Sequence, residues 1–104
     1  MTRTLDDVTN RNVPSMDVYL VEGSLPEGMF LSMNDAVRYA MSKASIIGMF
    51  IYRFQVSKRT GKGTKRTHMG TVFRTSQHGC TLVYKGDEYL INEDGSRGKR
   101  IARK

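Results

Sequence analysis

The fold is decided by residues 32–56, SMNDAVRYAMSKASIIGMFIYRFQV, where the spacing of apolar residues changes from a helical repeat to an extended one. In the first part, apolar residues recur three and four positions apart, which predicts an amphipathic helix of about 12 residues. Ser32 is a favourable N-cap, and Asp35 follows it three positions later, as in a capping box. The apolar stripe of this helix consists of Met33, Ala36, Val37, Ala40, Met41 and Ala44.

After Gly48 the apolar residues recur at every second position, which is the pattern of a β-strand. Phe50, Tyr52, Phe54 and Val56 share one face of that strand. The same alternation in residues 69–74 and 80–85 predicts two more strands.

The rest of the chain gives weaker signals. Residues 17–22 have the composition of a buried first strand, and residues 23–28 have the composition of a loop. Gly86 and Asp87 predict a two-residue hairpin turn before residues 88–92. Residues 29–31 fit either a short strand or the approach to the helix. Residues 97–101 fit either an edge strand or a basic arm.

We therefore predict an α+β fold in which one amphipathic helix packs on an antiparallel sheet of four to six strands, in the order β-α-β-β-β-β. Residues 1–16 are polar and lack periodicity, which predicts a flexible N-terminal segment. Residues 17–104 form one domain, with a basic loop at residues 57–68 and a basic C-terminal tail at residues 96–104.

Positive charge is concentrated in the second half of the chain. Residues 1–52 have a net charge of −2 and residues 53–104 have a net charge of +9, which together give the overall +7. Between Arg53 and Gly86 there are eight basic residues and no acidic residue. Such a one-sided distribution indicates a surface that meets phosphates or an acidic protein.

The basic loop is the most informative segment, because Lys and Arg supply charge, Thr hydroxyls bind phosphate oxygens and glycines allow close approach. The tail has a similar composition, and two strand residues could join loop and tail into one basic surface. The candidate phosphate contacts are Lys58, Arg59, Lys62, Lys65, Arg66, His68, Arg74, Lys85, Arg97, Lys99 and Arg100.

Other classes of function have little support in the sequence. Cys80 and His78 are two positions apart, but a lone Cys in an alternating strand is usually a small core residue, so we expect no catalytic site. Cys80, His68 and His78 cannot complete a four-ligand structural zinc site without carboxylates, and we expect neither a metal nor a cofactor. We expect no membrane segment, because no apolar run approaches the roughly 20 residues of a span.

Three successive segments resemble the opening of small accessory proteins of tailed bacteriophages. They are YLVEG (residues 19–23), GMFLS (residues 28–32) leading into Asp35 and Ala36, and the aromatic strand that follows. The resemblance covers residues 17–56 and leaves out the basic half. It implies expression in a bacterial cytoplasm and either nucleic-acid binding or interference with a host machine.

We therefore expect a non-enzymatic, cytoplasmic nucleic-acid-binding protein that contacts phosphates with little sequence readout, with RNA slightly favoured over DNA. The alternative is an inhibitor or adaptor that docks its basic face onto an acidic host protein. Neither hypothesis includes a small-molecule substrate.

The N-cap gives a first test. Replacing Ser32→Ala should lower the free energy of unfolding by about 1 kcal/mol, because the first turn loses the side-chain acceptor for one of its N–H groups. Chemical denaturation measures this change. An unchanged midpoint would place the start of the helix elsewhere.

Overall fold

Seven strands and one helix make up the parts of the chain that the computed structural model describes, residues 15–57, 59–63 and 65–103. In chain order they are β1 (Ser15–Glu22), β2 (Pro26–Phe30), α1 (Met33–Lys43), β3 (Met49–Ser57), β4 (Thr67–Thr75), β5 (Gly79–Tyr84), β6 (Asp87–Ile91) and β7 (Arg97–Arg103). The strands form one sheet in the order β2-β1-β3-β4-β5-β6-β7, and every neighbouring pair is antiparallel.

The α+β class with one helix on an antiparallel sheet is confirmed, but the predicted number of strands is too low. The strand that the sequence analysis missed is β2, which lies in a segment interpreted mainly as a loop and places two strands before the helix. Pro26 is tolerated there because it opens an edge strand, where its missing N–H costs no ladder hydrogen bond. At the other edge, residues 97–103 form β7, so of the two interpretations of this basic segment, edge strand or basic arm, the edge strand is correct.

The N-terminal boundary also differs from the prediction. Ser15 and Met16 belong to β1, where they pair with Ser57 and Val56, although they were assigned to a flexible segment. Residues 1–14 of that segment lie outside the described residues.

The helix follows the prediction closely. It begins after Ser32, whose hydroxyl oxygen accepts a hydrogen bond from the Asp35 N–H at 3.0 Å. Asp35 itself forms an ion pair with Arg38 on the exposed side. The predicted stripe faces the sheet: Ala36, Val37, Ala40 and Ala44 are buried, and Met33 and Met41 pack at its margin.

The helix covers one face of the sheet, mainly over β1 to β4. The core beneath it is built from paired positions of neighbouring strands, with Val21 opposite Ile51 and Val72 opposite Leu82. Because side chains alternate along a strand, Phe50 and its even-numbered neighbours on β3 project from the other face.

The pairing of β3 with β4 shifts register by one residue beneath the helix. Ile51 pairs with Gly70 but Tyr52 pairs with His68, so β4 contains one extra residue at this point, as in a β-bulge. Gly70 has a φ of +151°, and a Cβ placed on it would lie 2.5 Å from Cδ1 of Leu82. The Leu82 side chain therefore occupies the space that a larger residue would need.

Two tight turns complete the sheet. The two-residue turn between β5 and β6 consists of Lys85 and Gly86, one position earlier than predicted, and both have positive φ, as a type I′ turn requires. The turn between β6 and β7 packs against the start of α1, where a Cβ on Gly95 would overlap the Asn34 carbonyl oxygen. In this turn the Ser96 hydroxyl and then its backbone N–H donate to Asp94 and lower the pKa of its carboxyl.

Gly70→Ala should destabilise the fold by about 2 to 3 kcal/mol, because the new methyl group adds overpacking against Leu82 to an unfavourable backbone conformation. The matched control is Gly79→Ala: Gly79 also has a positive φ, at 70°, but nothing lies within 4 Å of its Cβ position. The control should cost only about 1 kcal/mol. Equal losses in denaturant unfolding would show that Leu82 does not restrict the Gly70 position.

Candidate nucleic-acid interface

The β3–β4 hairpin carries most of the predicted phosphate contacts. Its loop is shorter than the predicted 57–68, because Ser57 ends β3 and Thr67 and His68 begin β4. A bridge between Val56 and Gly63 extends the hairpin beyond the regular ladder. Of the predicted contacts in the loop, Arg59, Lys62, Lys65 and Arg66 are exposed, and Lys58 lies outside the described residues.

Hydrogen bonds around Ser57 shape the first half of this loop. The Ser57 N–H donates to the Lys62 carbonyl at 3.0 Å, and its carbonyl accepts from the Gly61 N–H at 2.8 Å. Its hydroxyl oxygen also accepts from the N–H groups of Arg59 and Thr60. The backbone polar groups thus turn inward while the Arg59 and Lys62 side chains remain on the outside.

The Arg66 side chain packs against the sheet. Its guanidinium forms an ion pair with Glu22 at 2.8 Å and stacks over the Tyr52 ring, with 4.4 Å from Cζ to the ring centroid. Its side chain nevertheless remains 49% exposed. Arg66 is therefore held in one position but is still accessible from solvent.

His68 belongs to a small aromatic cluster on the face that α1 leaves uncovered. Its ring centroid lies 5.7 Å from that of Tyr52 and 6.2 Å from that of Phe50. The rings of Phe50 and Tyr52 are nearly parallel, with an interplanar angle of 22° and centroids 6.3 Å apart. The His68 Nε2 also makes a 2.9 Å hydrogen bond with the Thr71 hydroxyl.

Arg74 has a structural role that the charge pattern did not indicate. Its Nη2 donates to the Met41 carbonyl at 2.8 Å, and its Nε donates to the Ala44 carbonyl at 3.3 Å. Both acceptors lie at the C-terminal end of α1, where backbone carbonyls have no partners within the helix and the helix dipole is negative. Arg74 thus fastens the end of the helix to β4.

The remaining predicted contacts lie near β5, β6 and β7. Lys85 occupies the β5–β6 turn, with its ammonium 5.3 Å from the Tyr84 ring centroid. Arg97 stacks on Tyr89 at 4.5 Å, and Arg100 approaches the Asp87 carboxylate at 3.7 Å. Lys99 is exposed on the edge strand.

The strand register divides these residues between the two ends of the sheet. The 58–66 loop and the Lys85 turn lie at the same end, because β4 leaves the loop and β5 runs back towards it. Arg74 and Arg97 lie at the opposite end, near the β4–β5 and β6–β7 turns. The structure therefore gathers the loop cations and Lys85 but separates them from Arg74 and Arg97.

Sequence reasoning did not include Phe50 and Tyr52 among the site residues. The alternation in β3 correctly placed them on one face. The missing information was that the helix packs on the opposite face, which leaves Phe50 40% exposed.

The two residues of the possible catalytic pair, His78 and Cys80, differ in exposure. His78 is exposed in the β4–β5 turn, and Cys80 is half-buried on β5 with its Sγ 3.6 Å from the Met41 carbonyl. In the described part of the chain, no three His, Cys, Asp or Glu side chains come together as a metal site. The one helix found there is too short to cross a membrane.

In comparisons with known proteins, no family model, no curated protein and no solved structure matches the chain.

Arg74→Lys should separate the structural role of Arg74 from its charge. Lys keeps the positive charge but cannot make both hydrogen bonds to the helix end, so the free energy of unfolding should fall by about 1 to 2 kcal/mol. Arg38→Lys is the control, because its exposed pair with Asp35 should contribute less than about 1 kcal/mol. Equal unfolding midpoints for the two variants would contradict the capping role.

Proposed function

We propose that this protein is a non-enzymatic nucleic-acid-binding domain that contacts phosphates mainly through its hairpin loop. The observation that carries the proposal is the acid-free run of eight basic residues between Arg53 and Gly86. A net charge of +9 on one half of a small chain attracts polyanions at a distance.

The form of the loop supports phosphate contacts. The exposed side chains of Arg59, Lys62 and Lys65 lie on a protruding hairpin, where they can follow a phosphate backbone. Lys85 adds a charge at the same end of the sheet. Contacts of this kind position a nucleic acid without reading its sequence, so we expect weak sequence preference.

The ion pairs reduce the number of cations that engage the ligand. Arg66 shares its charge with Glu22, Arg100 lies near Asp87, and Arg74 binds the helix end. We count as phosphate contacts the exposed cations of the hairpin loop, the β5–β6 turn and the middle of β7, which are Arg59, Lys62, Lys65, Lys85 and Lys99. If all five neutralise phosphates, log affinity should fall against log salt with a slope of about −3.5 on single strands and about −4.5 on duplex DNA.

From the resemblance to accessory proteins of tailed phages, we propose that the protein acts in the cytoplasm of a bacterial host. RNA remains slightly favoured over DNA as the partner. The alternative ligand is an acidic host protein, and the salt dependence of binding distinguishes it from nucleic acid.

The test is a titration of a labelled RNA hairpin and a labelled DNA duplex at several salt concentrations. Neutralising Lys62→Gln and Lys65→Gln together should flatten the slope by about 1.8 on the duplex, because two phosphate contacts are lost. The control is Arg38→Gln with Lys43→Gln, which removes the same charge from the helix and should leave the slope nearly unchanged.

Two outcomes would contradict nucleic-acid binding, and a third would contradict the role of the loop. The first is absence of binding to either nucleic acid at low salt, since such a basic surface should bind polyanions at least non-specifically. The second is tight binding to an acidic protein that persists at high salt, which would favour the inhibitor or adaptor. If both double variants flatten the slope equally, the loop is not the main contact.

A further inference from the structure

The sheet face opposite the helix combines cations with aromatic rings, of which Phe50 and His68 are exposed and Tyr52 is half-buried. Phe50 and Tyr52 project from β3 on this face, and His68 projects from β4 beside them. The hairpin loop rises from the same two strands and places Arg66 over Tyr52. Aromatic rings and guanidinium planes are the groups on which proteins stack the unpaired bases of nucleic acids.

We infer that Phe50, Tyr52, Arg66 and His68 form a stacking platform for the bases of a single-stranded nucleic acid. This inference rests on the proposed function and deepens it, because it names single strands as the ligand class. In this arrangement the loop cations hold the phosphates while the bases lie on the sheet.

The spacing of the rings selects an extended strand. The Phe50 and Tyr52 centroids are 6.3 Å apart, whereas successive bases in a duplex strand are about 3.4 Å apart. Two bases, one stacked on Phe50 and one on the guanidinium that covers Tyr52, must therefore separate from one another. A single strand can do this, but the base faces of a duplex are already covered by their neighbours.

Arg66 extends the platform above Tyr52. One face of its guanidinium rests on the ring, and its side chain is 49% exposed, so the other face is accessible to a base. The ion pair with Glu22 holds the guanidinium in this plane. A phosphate near Arg66 must compete with that carboxylate, so the main contribution of Arg66 is stacking rather than charge.

The charge of the surroundings identifies the occupant. The apolar rings alone would suit a protein partner or a second copy of this chain. Lys62 and Lys65, however, stand on the loop that continues β3 and β4, and the carboxylate that lies opposite Phe50 on β1, Glu22, is paired with Arg66. A ligand that lies on the rings and runs towards the loop must therefore be a polyanion with flat faces, and single-stranded nucleic acid has both properties.

The experiment compares three labelled probes at moderate salt: an oligothymidine strand of about 12 nucleotides, an abasic strand of equal length, and the duplex of the first with oligoadenosine. The wild type should bind the oligothymidine more tightly than the abasic strand. Phe50→Leu should weaken oligothymidine binding by roughly 5- to 150-fold, the effect of one stacked base, and leave abasic-strand binding and the salt slope unchanged.

Two controls accompany this variant. Phe50→Tyr retains a ring and should keep the oligothymidine affinity within about threefold of wild type, since any aromatic face can stack on a base. Phe30→Leu removes a ring that packs on Tyr39 beside the helix, away from the platform, and should not change binding. Thermal unfolding of each variant verifies that binding is measured on folded protein.

The outcomes separate the inference from the proposed function. Suppose that wild type binds the oligothymidine and abasic strands equally and Phe50→Leu does not change the oligothymidine affinity. This result would overturn the inference of a stacking platform but would leave phosphate binding intact. Tighter binding of the duplex, or a self-association that Phe50→Leu abolishes, would also overturn it. Failure of all three probes to bind at low salt would instead overturn the proposed function.

Discussion

The packing of small side chains from α1 onto the central strands is the interaction on which the rest of the structure depends. Ala36 and Ala40 are completely buried, and their small size lets the helix axis approach Ile51 and Val72 closely. The 11-residue helix is about 16 Å long and packs mainly on β1 to β4. One helix of this length cannot cover seven strands, and no second helix packs on the other face in the described part of the chain.

Because the helix covers only one face, the two faces of the sheet have different side-chain chemistry. Beneath the helix, aliphatic side chains form the core, and Arg74 and the β6–β7 turn secure the two ends of the helix. On the other face, the rings of Phe50 and Tyr52 gain packing from each other, from His68 and from Arg66. The aromatic cluster is stabilised locally and does not require a covering element.

The parts of the fold that local spacing determines were predictable from the sequence. The helix, its Ser32 cap and its buried stripe all depend on residues within about four positions of one another, and all were predicted. Alternation also showed that Phe50 and Tyr52 share a face. It could not show which face receives the helix, because that choice depends on contacts between distant segments.

The roles of the basic residues were harder to predict for the same reason. Arg74 has the same charge as Lys62, but its partners are carbonyl groups 30 and 33 positions away. Arg66 likewise pairs with Glu22, 44 positions away. A count of charges along the chain cannot distinguish a side chain that holds the fold together from one that faces solvent. β2 was missed because Pro26 and Gly28 suggest a loop unless the strand is known to lie at an edge.

Because β7 lies at an edge of the sheet, it affects whether two copies of this protein can associate by strand pairing. Among the described residues no strand lies beyond β7, so its outer row of backbone N–H and C=O groups could pair with a strand of another chain. Its side chains include Arg97, Lys99 and Arg100, and the same strand in a second molecule would bring identical charges together. Electrostatic repulsion therefore limits the growth of the sheet from one molecule to the next, and this protection weakens as salt screens the charges.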